Sequence, residues 1–259
     1  MEVFYYPDLG VTMRPIFFGL QLIMNLILLN DLDLSSPNHA IICDERRLSH
    51  IRSVHGAEAG QTFKVGLLGG QIGSGKVVKI TDTQIDLELD LHQAPPKALP
   101  LKLVLGLPRP KMLRRILQSI ACLGVKELHL INSYCVEKSY WQTPFLDPQA
   151  IHEQLILGLE QGCDTQLPQV YLHKRFKPFV EDELPQIIAG TQALVAHPYT
   201  ESECPRDIDY PLSLAVGPEG GFIAYEIELL KKIGFQPVHL GERIMRVETA
   251  IPYLLGRLF

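Results

Sequence analysis

Two short segments in the last fifth of the chain have the residue types that could do chemistry. The first is Val216-Gly217-Pro218-Glu219-Gly220-Gly221-Phe222, which follows the apolar run Leu212-Ser213-Leu214-Ala215. The second is Leu240-Gly241-Glu242-Arg243-Ile244-Met245-Arg246-Val247-Glu248-Thr249-Ala250, which follows Pro237-Val238-His239. Each reads as a buried strand entering a turn and then a helix. Glycine has no Cβ and tolerates positive φ, so such a turn lets the backbone approach a ligand closely. Either segment alone reads more readily as a plain turn. Two strand-to-helix turns so close together favour a ligand site, because open α/β sheets bind ligands at the carboxyl ends of their strands.

The elements that would hold these turns fall into two rhythms. From residue 24 to 93 the signals are mostly β. Strands are expected over 25–29, 39–43, 62–68, 76–80 and 84–89, with a short helix over 46–54 and Asp44 as its N-cap. That pattern is a small barrel or sandwich. Gln93-Ala94-Pro95-Pro96-Lys97 marks a linker, since consecutive prolines donate no ladder hydrogen bonds and stiffen the chain. From residue 98 to 259 strand and helix alternate. Strands are expected over 101–107, 127–131, 170–173 and 193–196. Helices are expected over 110–123 and 148–160, with a helix interrupted near Pro185 within 179–188. This alternation predicts a parallel sheet with helices on both faces. Residues 1–23 lack this periodicity and read as an N-terminal extension.

Composition narrows the classes. The 259 residues are 46% hydrophobic and 20% charged, enough for a substantial core. The formal net charge is -5, so a nucleic-acid partner must be met by local basic patches. The five cysteines, Cys43, Cys122, Cys135, Cys163 and Cys204, are widely spaced and never in C-x-x-C. That argues against a disulfide framework or a zinc site and fits a reducing cytoplasm. The most apolar stretch, 15–29, is shorter than the roughly twenty residues of a membrane span and is interrupted by Gln21 and Asn25. Gly70-Gln71-Ile72-Gly73-Ser74-Gly75-Lys76 matches G-x-x-x-x-G-K, but Val77 stands where a phosphate loop needs Ser or Thr. A strand former follows instead of a helix, so a hairpin turn is expected there.

Taken as a pair, G-P-E-G-G followed by L-G-x-R-I-M-R-x-E-T-A resembles the RsmE-type family of 16S ribosomal RNA (uracil-N3)-methyltransferases, of the knotted SPOUT class. Lys111-Met112, Leu123-Gly124-Val125 and Glu160-Gln161 are further anchors. The resemblance implies a PUA-like β domain over 24–93 and a SPOUT parallel sheet with a C-terminal trefoil knot over 98–259. It implies a cytoplasmic homodimer, S-adenosylmethionine as cofactor, and uracil N3 in ribosomal RNA of the small subunit as target. Gly217, Pro218, Glu219, Gly220, Gly221, Leu240, Gly241, Ile244 and Met245 would line the cofactor cleft, with Leu194 and His197 as a third side.

Within that frame Arg246 is the catalytic candidate, because a guanidinium can orient the base and favour negative charge developing on uracil. A pair with Glu248 is its structural alternative. Glu219 could bond backbone of the knot or a partner arginine, Arg243 could make a structural or dimer contact, and Glu248 and Thr249 could cap the last helix. His197 could equally be a surface turn beside Pro198. Two basic clusters could meet RNA: Arg46, Arg47 and Arg52 on the short helix, and Arg109, Lys111 and Arg114, with Arg115, at the first strand-to-helix turn. Either could instead be a solvated face.

The chain also departs from the family pattern. Val54-His55-Gly56 replaces V-L-R, Ala121-Cys122 replaces T-E, Ser133-Tyr134-Cys135-Val136 lacks an arginine, and Gly162-Cys163-Asp164 stands where an arginine is usual. These changes fall mainly on the expected RNA side, which leaves open a catalytically altered paralogue that binds RNA or ribosomes, or one that methylates a different RNA site.

Overall fold

The computed structural model describes residues 25–55 and 58–259. The expectations for residues 1–23 and for Gly56 lie outside them. Strands β1 (Ile27–Leu29), β2 (Leu34–Ser36), β3 (His39–Ile42), β4 (Thr62–Leu67), β5 (Ile72–Ile80) and β6 (Ile85–Gln93) form one sheet in the order β1-β4-β5-β6-β3-β2. Helix α1 (Glu45–His55) lies between β3 and β4 in the chain, and Asp44 caps it through the Arg47 N–H at 2.9 Å. Alternate strand residues such as Ile27, Ala40, Ile42, Val65, Ile85 and Leu87 meet Leu48 and Ile51 of α1 in one apolar cluster. Sequence reading missed β2 and placed the start of β5 four residues late. The glycine run is strand, and the tight turn spans Leu67–Gln71 instead. A Cβ on Gly73 would stand 1.9 Å from the Asp90 carbonyl oxygen, so this glycine serves close strand approach and not a phosphate.

The second sheet is wholly parallel: β7 (Leu101–Gly106), β8 (Glu127–Ile131), β9 (Gln169–His173), β10 (Gln192–Ala196), β11 (Leu212–Val216) and β12 (Gln236–Val238), in the order β12-β10-β11-β7-β8-β9. Helices α2 (Pro110–Cys122), α3 (Pro148–Gly162) and α7 (Val247–Leu258) share one apolar cluster with Leu103, Leu105, Leu128, Leu130 and Leu214. Val104, Val195 and Ala215 point the other way, into a cluster with α6 (Ala224–Lys232) and the segment 179–188. The period-2 alternation of strand side chains thus feeds both faces. Residues 176–187 comprise α4 (Phe176–Pro178), a π-helical turn (Phe179–Glu183) and α5 (Leu184–Ile187). The expected interruption is that π turn, just before Pro185, whose missing N–H breaks the regular ladder.

The first sheet packs on α3. Leu26, Leu28 and Ile72 join the cluster around α2 and α3. Gly69 N–H donates to the Thr165 carbonyl at 2.7 Å, and Asn25 Nδ2 donates to the Gln161 carbonyl at 2.9 Å. Among the described residues no helix is long and apolar enough to cross a membrane.

Candidate functional site

The carboxyl ends of the central strands carry both glycine turns. β10 pairs with β11 on one side, Ala196 opposite Val216, and with β12 on the other, Ala196 opposite Val238. The turns after β11 and β12 therefore leave the same edge on either side of β10, about 10 Å apart at two strand spacings.

The first turn is closed tightly. Gly221 N–H donates to the Pro218 carbonyl at 2.8 Å, and a Cβ on Gly217 would come within 2.8 Å of the Gly221 backbone. Gly106, the last residue of β7, packs against Pro218 so closely that a Cβ there would meet Pro218 Cδ at 2.4 Å. Glu219 is exposed and accepts the Arg109 N–H at 2.9 Å, which ties this turn to the start of α2, where Arg109 has no side-chain cap of its own. The second turn is held by His239, whose Nδ1 accepts the Gly241 N–H at 2.9 Å. Gly221 at φ +70° and Gly241 at φ +104° occupy backbone regions that L side chains rarely adopt, and a Cβ on either would point into open space. Ile244 beyond Gly241 is 71% exposed, and Leu240 and Met245 are half-buried.

The third side is the connection from β10 to β11. His197 N–H donates to the Val238 carbonyl at 2.9 Å, and Cys204 N–H to the His239 carbonyl at 2.9 Å. His197 is half-buried, with its imidazole pKa lowered by burial, and meets the exposed Tyr199 edge-on at 5.7 Å. Leu194 lies mid-strand and buried among the core leucines, so its side chain builds the floor of the sheet and not the rim of the cleft.

Arg246 is the N-cap residue of α7, its carbonyl accepting the Thr249 and Ala250 N–H groups at 3.0 and 2.8 Å. Its exposed guanidinium makes no ion pair or hydrogen bond among the described residues, so the alternative pair with Glu248 is not formed. Capping by Glu248 or Thr249 is not seen either.

The basic clusters divide. Arg109, Lys111 and Arg114 are exposed at the start of α2, beside the first glycine turn, with Arg114 over the Phe145 ring at 5.1 Å. The α1 cluster is corrected. Arg47 is buried and bonded to both oxygens of Asp33, at 2.6 and 2.9 Å, because a buried guanidinium must be paired. Arg46 is bonded twice to the buried Glu160, at 2.8 and 3.0 Å, and Arg52 to the Thr81 carbonyl. These three arginines are each bonded within the fold, Arg47 buried and Arg46 still half-exposed.

Sequence reading passed over Glu226 as a site residue, and Ser133 and Cys135 were legible only as a departure from the family pattern. Glu226 is buried, with its pKa raised by that burial. It accepts the Tyr134 N–H at 2.7 Å and the Ile223 N–H at 3.1 Å. It therefore joins the loop after β8 to the start of α6. Its spacing after Ile223, a glutamate at the third helical position reaching back to the cap, was a legible signal. Cys135 of the same loop lies where a Cβ on Gly220 would meet it at 2.8 Å. Ser133 Oγ is buried with no hydrogen-bond partner among the described residues. An orphaned oxygen and two glycines facing open space fit a site built for a ligand with polar edges.

Comparison with known proteins agrees with this geometry. The model of the RNA methyltransferase domain family matches residues 95–258, which span both turns. The chain is 30% identical over 232 residues to the ribosomal RNA small subunit methyltransferase E of Treponema pallidum, covering 88% of this chain and 87% of that one. It is 27% identical over 155 residues to methyltransferase E 1 of Borreliella burgdorferi, covering 58% and 63%. The fold is similar to the crystal structure of the Neisseria gonorrhoeae methyltransferase E bound to S-adenosyl methionine, with a TM-score of 0.70, 20% identity, and 90% and 95% of the two chains covered. The two turns, the wholly parallel sheet that carries them and these matches agree: this chain belongs to the ribosomal RNA small subunit methyltransferase E family of RNA methyltransferases.

Proposed function

We propose that the chain methylates N3 of a uridine in 16S ribosomal RNA, using S-adenosylmethionine held between the two glycine turns. The observation that carries this reading is the family match across both turns, where Gly221 and Gly241 face open space. When bound, the cofactor supplies an electrophilic methyl group on a sulfonium. Gly217, Pro218, Glu219, Gly220 and Gly221 wall the adenosine on one side through their backbone. Leu240, Gly241, Ile244 and Met245 wall it on the other, and His197 closes the third side.

Holding donor and base together turns a bimolecular step into an effectively unimolecular one. N3 of uracil must lose its proton, and the free guanidinium of Arg246 favours the resulting negative charge on the ring. Arg109, Lys111 and Arg114 lie on the same edge and hold phosphates. Arg246→Ala is expected to lower kcat by about a hundredfold, the usual scale for losing one charge-stabilising group. Arg246→Lys is expected to recover part of it.

The finer architecture follows the same reading. The connection 197–211 crosses the end of a helix that comes later in the chain: Asp207 N–H donates to the Arg257 carbonyl and Ile208 N–H to the Leu258 carbonyl, at 3.1 and 2.6 Å. This crossing supports a trefoil knot, a rare exception to unthreaded chains. The β unit is PUA-like, the active form is a homodimer in which the partner completes the cleft over exposed Ile244, and the enzyme works in the cytoplasm on the small subunit.

The pairing of Arg46, Arg47 and Arg52 within the fold favours a second reading, an altered RNA target or binding without catalysis. Methyl transfer from labelled cofactor to small subunits made without this protein, followed by nucleoside mass spectrometry, separates the two. Label on uracil N3 supports the proposal, label elsewhere supports an altered target, and no label with folded protein overturns methyl transfer and favours a paralogue that binds RNA without catalysis.

A further inference from the structure

The joint between the two sheets is concentrated at the end of α3. Within six residues Glu160 binds Arg46, the Gln161 carbonyl accepts from Asn25, Cys163 Sγ lies 3.4 Å from the Asn25 carbonyl oxygen, and the Thr165 carbonyl accepts from Gly69. Cys163 is also one of two non-glycine residues described with positive φ, at +53°, and it ends α3 in the left-handed conformation. Helices α2 and α3 approach here through small residues. A Cβ on Gly158 would stand 2.3 Å from the Gln118 carbonyl oxygen, and a Cβ on Gly162 would stand 2.9 Å from the Cα of Cys122. Cys122 is the last residue of α2 and is exposed; Cys163 is half-buried. With consecutive Cα atoms 3.8 Å apart, the Cα atoms of Cys122 and Cys163 can be no more than about 8 Å apart. That limit includes the 4.4–6.8 Å a disulfide requires.

We propose that Cys122 and Cys163 form a redox-active dithiol whose oxidation loosens the joint between the β unit and the methyltransferase domain. Burial and the neighbouring Cys163 thiol push the Cys122 thiol pKa up, the second being what a close thiol neighbour does. The Cys122 thiol is therefore less ionised at neutral pH than a free thiol, and its oxidation accelerates as pH rises. With a peroxide as oxidant, two S–H bonds break and one S–S bond forms. Two electrons pass into the peroxide O–O bond, which breaks, and two waters leave. Turning Cys163 Sγ toward Cys122 removes it from the Asn25 carbonyl at the first described residue of the β unit.

Full-length protein, reduced and then treated with hydrogen peroxide, is digested under non-reducing conditions and analysed by mass spectrometry. Expected are the loss of two free thiols, one peptide pair linked through Cys122 and Cys163, and faster amide exchange over residues 26–29. Cys122→Ser is expected to lose both the link and the faster exchange. Cys163→Gly, which suits the left-handed backbone, guards against misfolding and is expected to do the same. Separate oxygen adducts on the two cysteines, or a link that uses Cys43, Cys135 or Cys204, would overturn the pairing. A link without faster exchange would overturn its effect on the joint.

Discussion

Replacing Gly241 with alanine separates backbone strain from ligand contact. Gly241 sits at φ +104°, beyond the small left-handed region open to L residues, and a Cβ there touches nothing within 4 Å. With no ligand, the only cost of Gly241→Ala is backbone strain, about 1–3 kcal/mol. For a chain of this length that lowers Tm by about 2–12 °C, at roughly 2–4 °C per kcal/mol. With the cofactor seated between the turns, the same Cβ enters the space the ligand fills, and affinity falls at least about tenfold, or about 1.4 kcal/mol, beyond the strain. Gly217→Ala differs, because its Cβ meets the backbone of its own turn at 2.8 Å, so stability and affinity fall together. The assays are equilibrium urea unfolding without ligand and calorimetric titration with S-adenosylmethionine. Unchanged affinity in folded Gly241→Ala would refute the reasoning and move the cofactor away from this turn.

Other perturbations test the scaffold. Gly158→Ala gains about 1 kcal/mol of helix propensity but forces a methyl against the Gln118 carbonyl, 2.3 Å from where it must sit; overpacking wins, and urea unfolding should show a net loss of about 1–2 kcal/mol. Arg46→Met leaves the Glu160 carboxylate buried without its partner, and the half-exposed guanidinium limits the loss to about 1–3 kcal/mol; adding Glu160→Met should recover much of it in a double-mutant cycle. His129 bonds Glu127 and His173, at 2.9 and 3.0 Å, and burial lowers both imidazoles below their usual 6.5. The unfolded chain then holds more protons as pH falls through that value, so stability drops from pH 6.5 toward the lower folded values and flattens below them, a slope that unfolding curves across this range would show.

Local pattern made much of this protein legible. The parallel sheet followed from alternating strands and helices, and the strand over Glu127–Ile131 agrees residue for residue. Pro110 and Gly124 marked the ends of α2 because a missing N–H and a left-handed φ are local constraints. The glycine turns were visible for the same reason: their chemistry lies in adjacent residues. Contacts between distant parts of the chain were not visible. Sequence gives Arg47 as one of three arginines on a helix; only the tertiary structure buries it on Asp33, an energy decided by desolvation and pairing and not by helical spacing. Glu219 reaching the Arg109 N–H, Glu226 holding the Tyr134 loop, and Glu160 clamping Arg46 likewise span from 92 to 114 residues of chain. The sequence by itself determined which residues form the two turns and which fold family they belong to, because those properties reside in short motifs. The tertiary structure decided which basic residues stay free, where the orphaned Ser133 oxygen lies, and how the two sheets are joined, because burial and pairing are set by whatever the folded chain brings alongside.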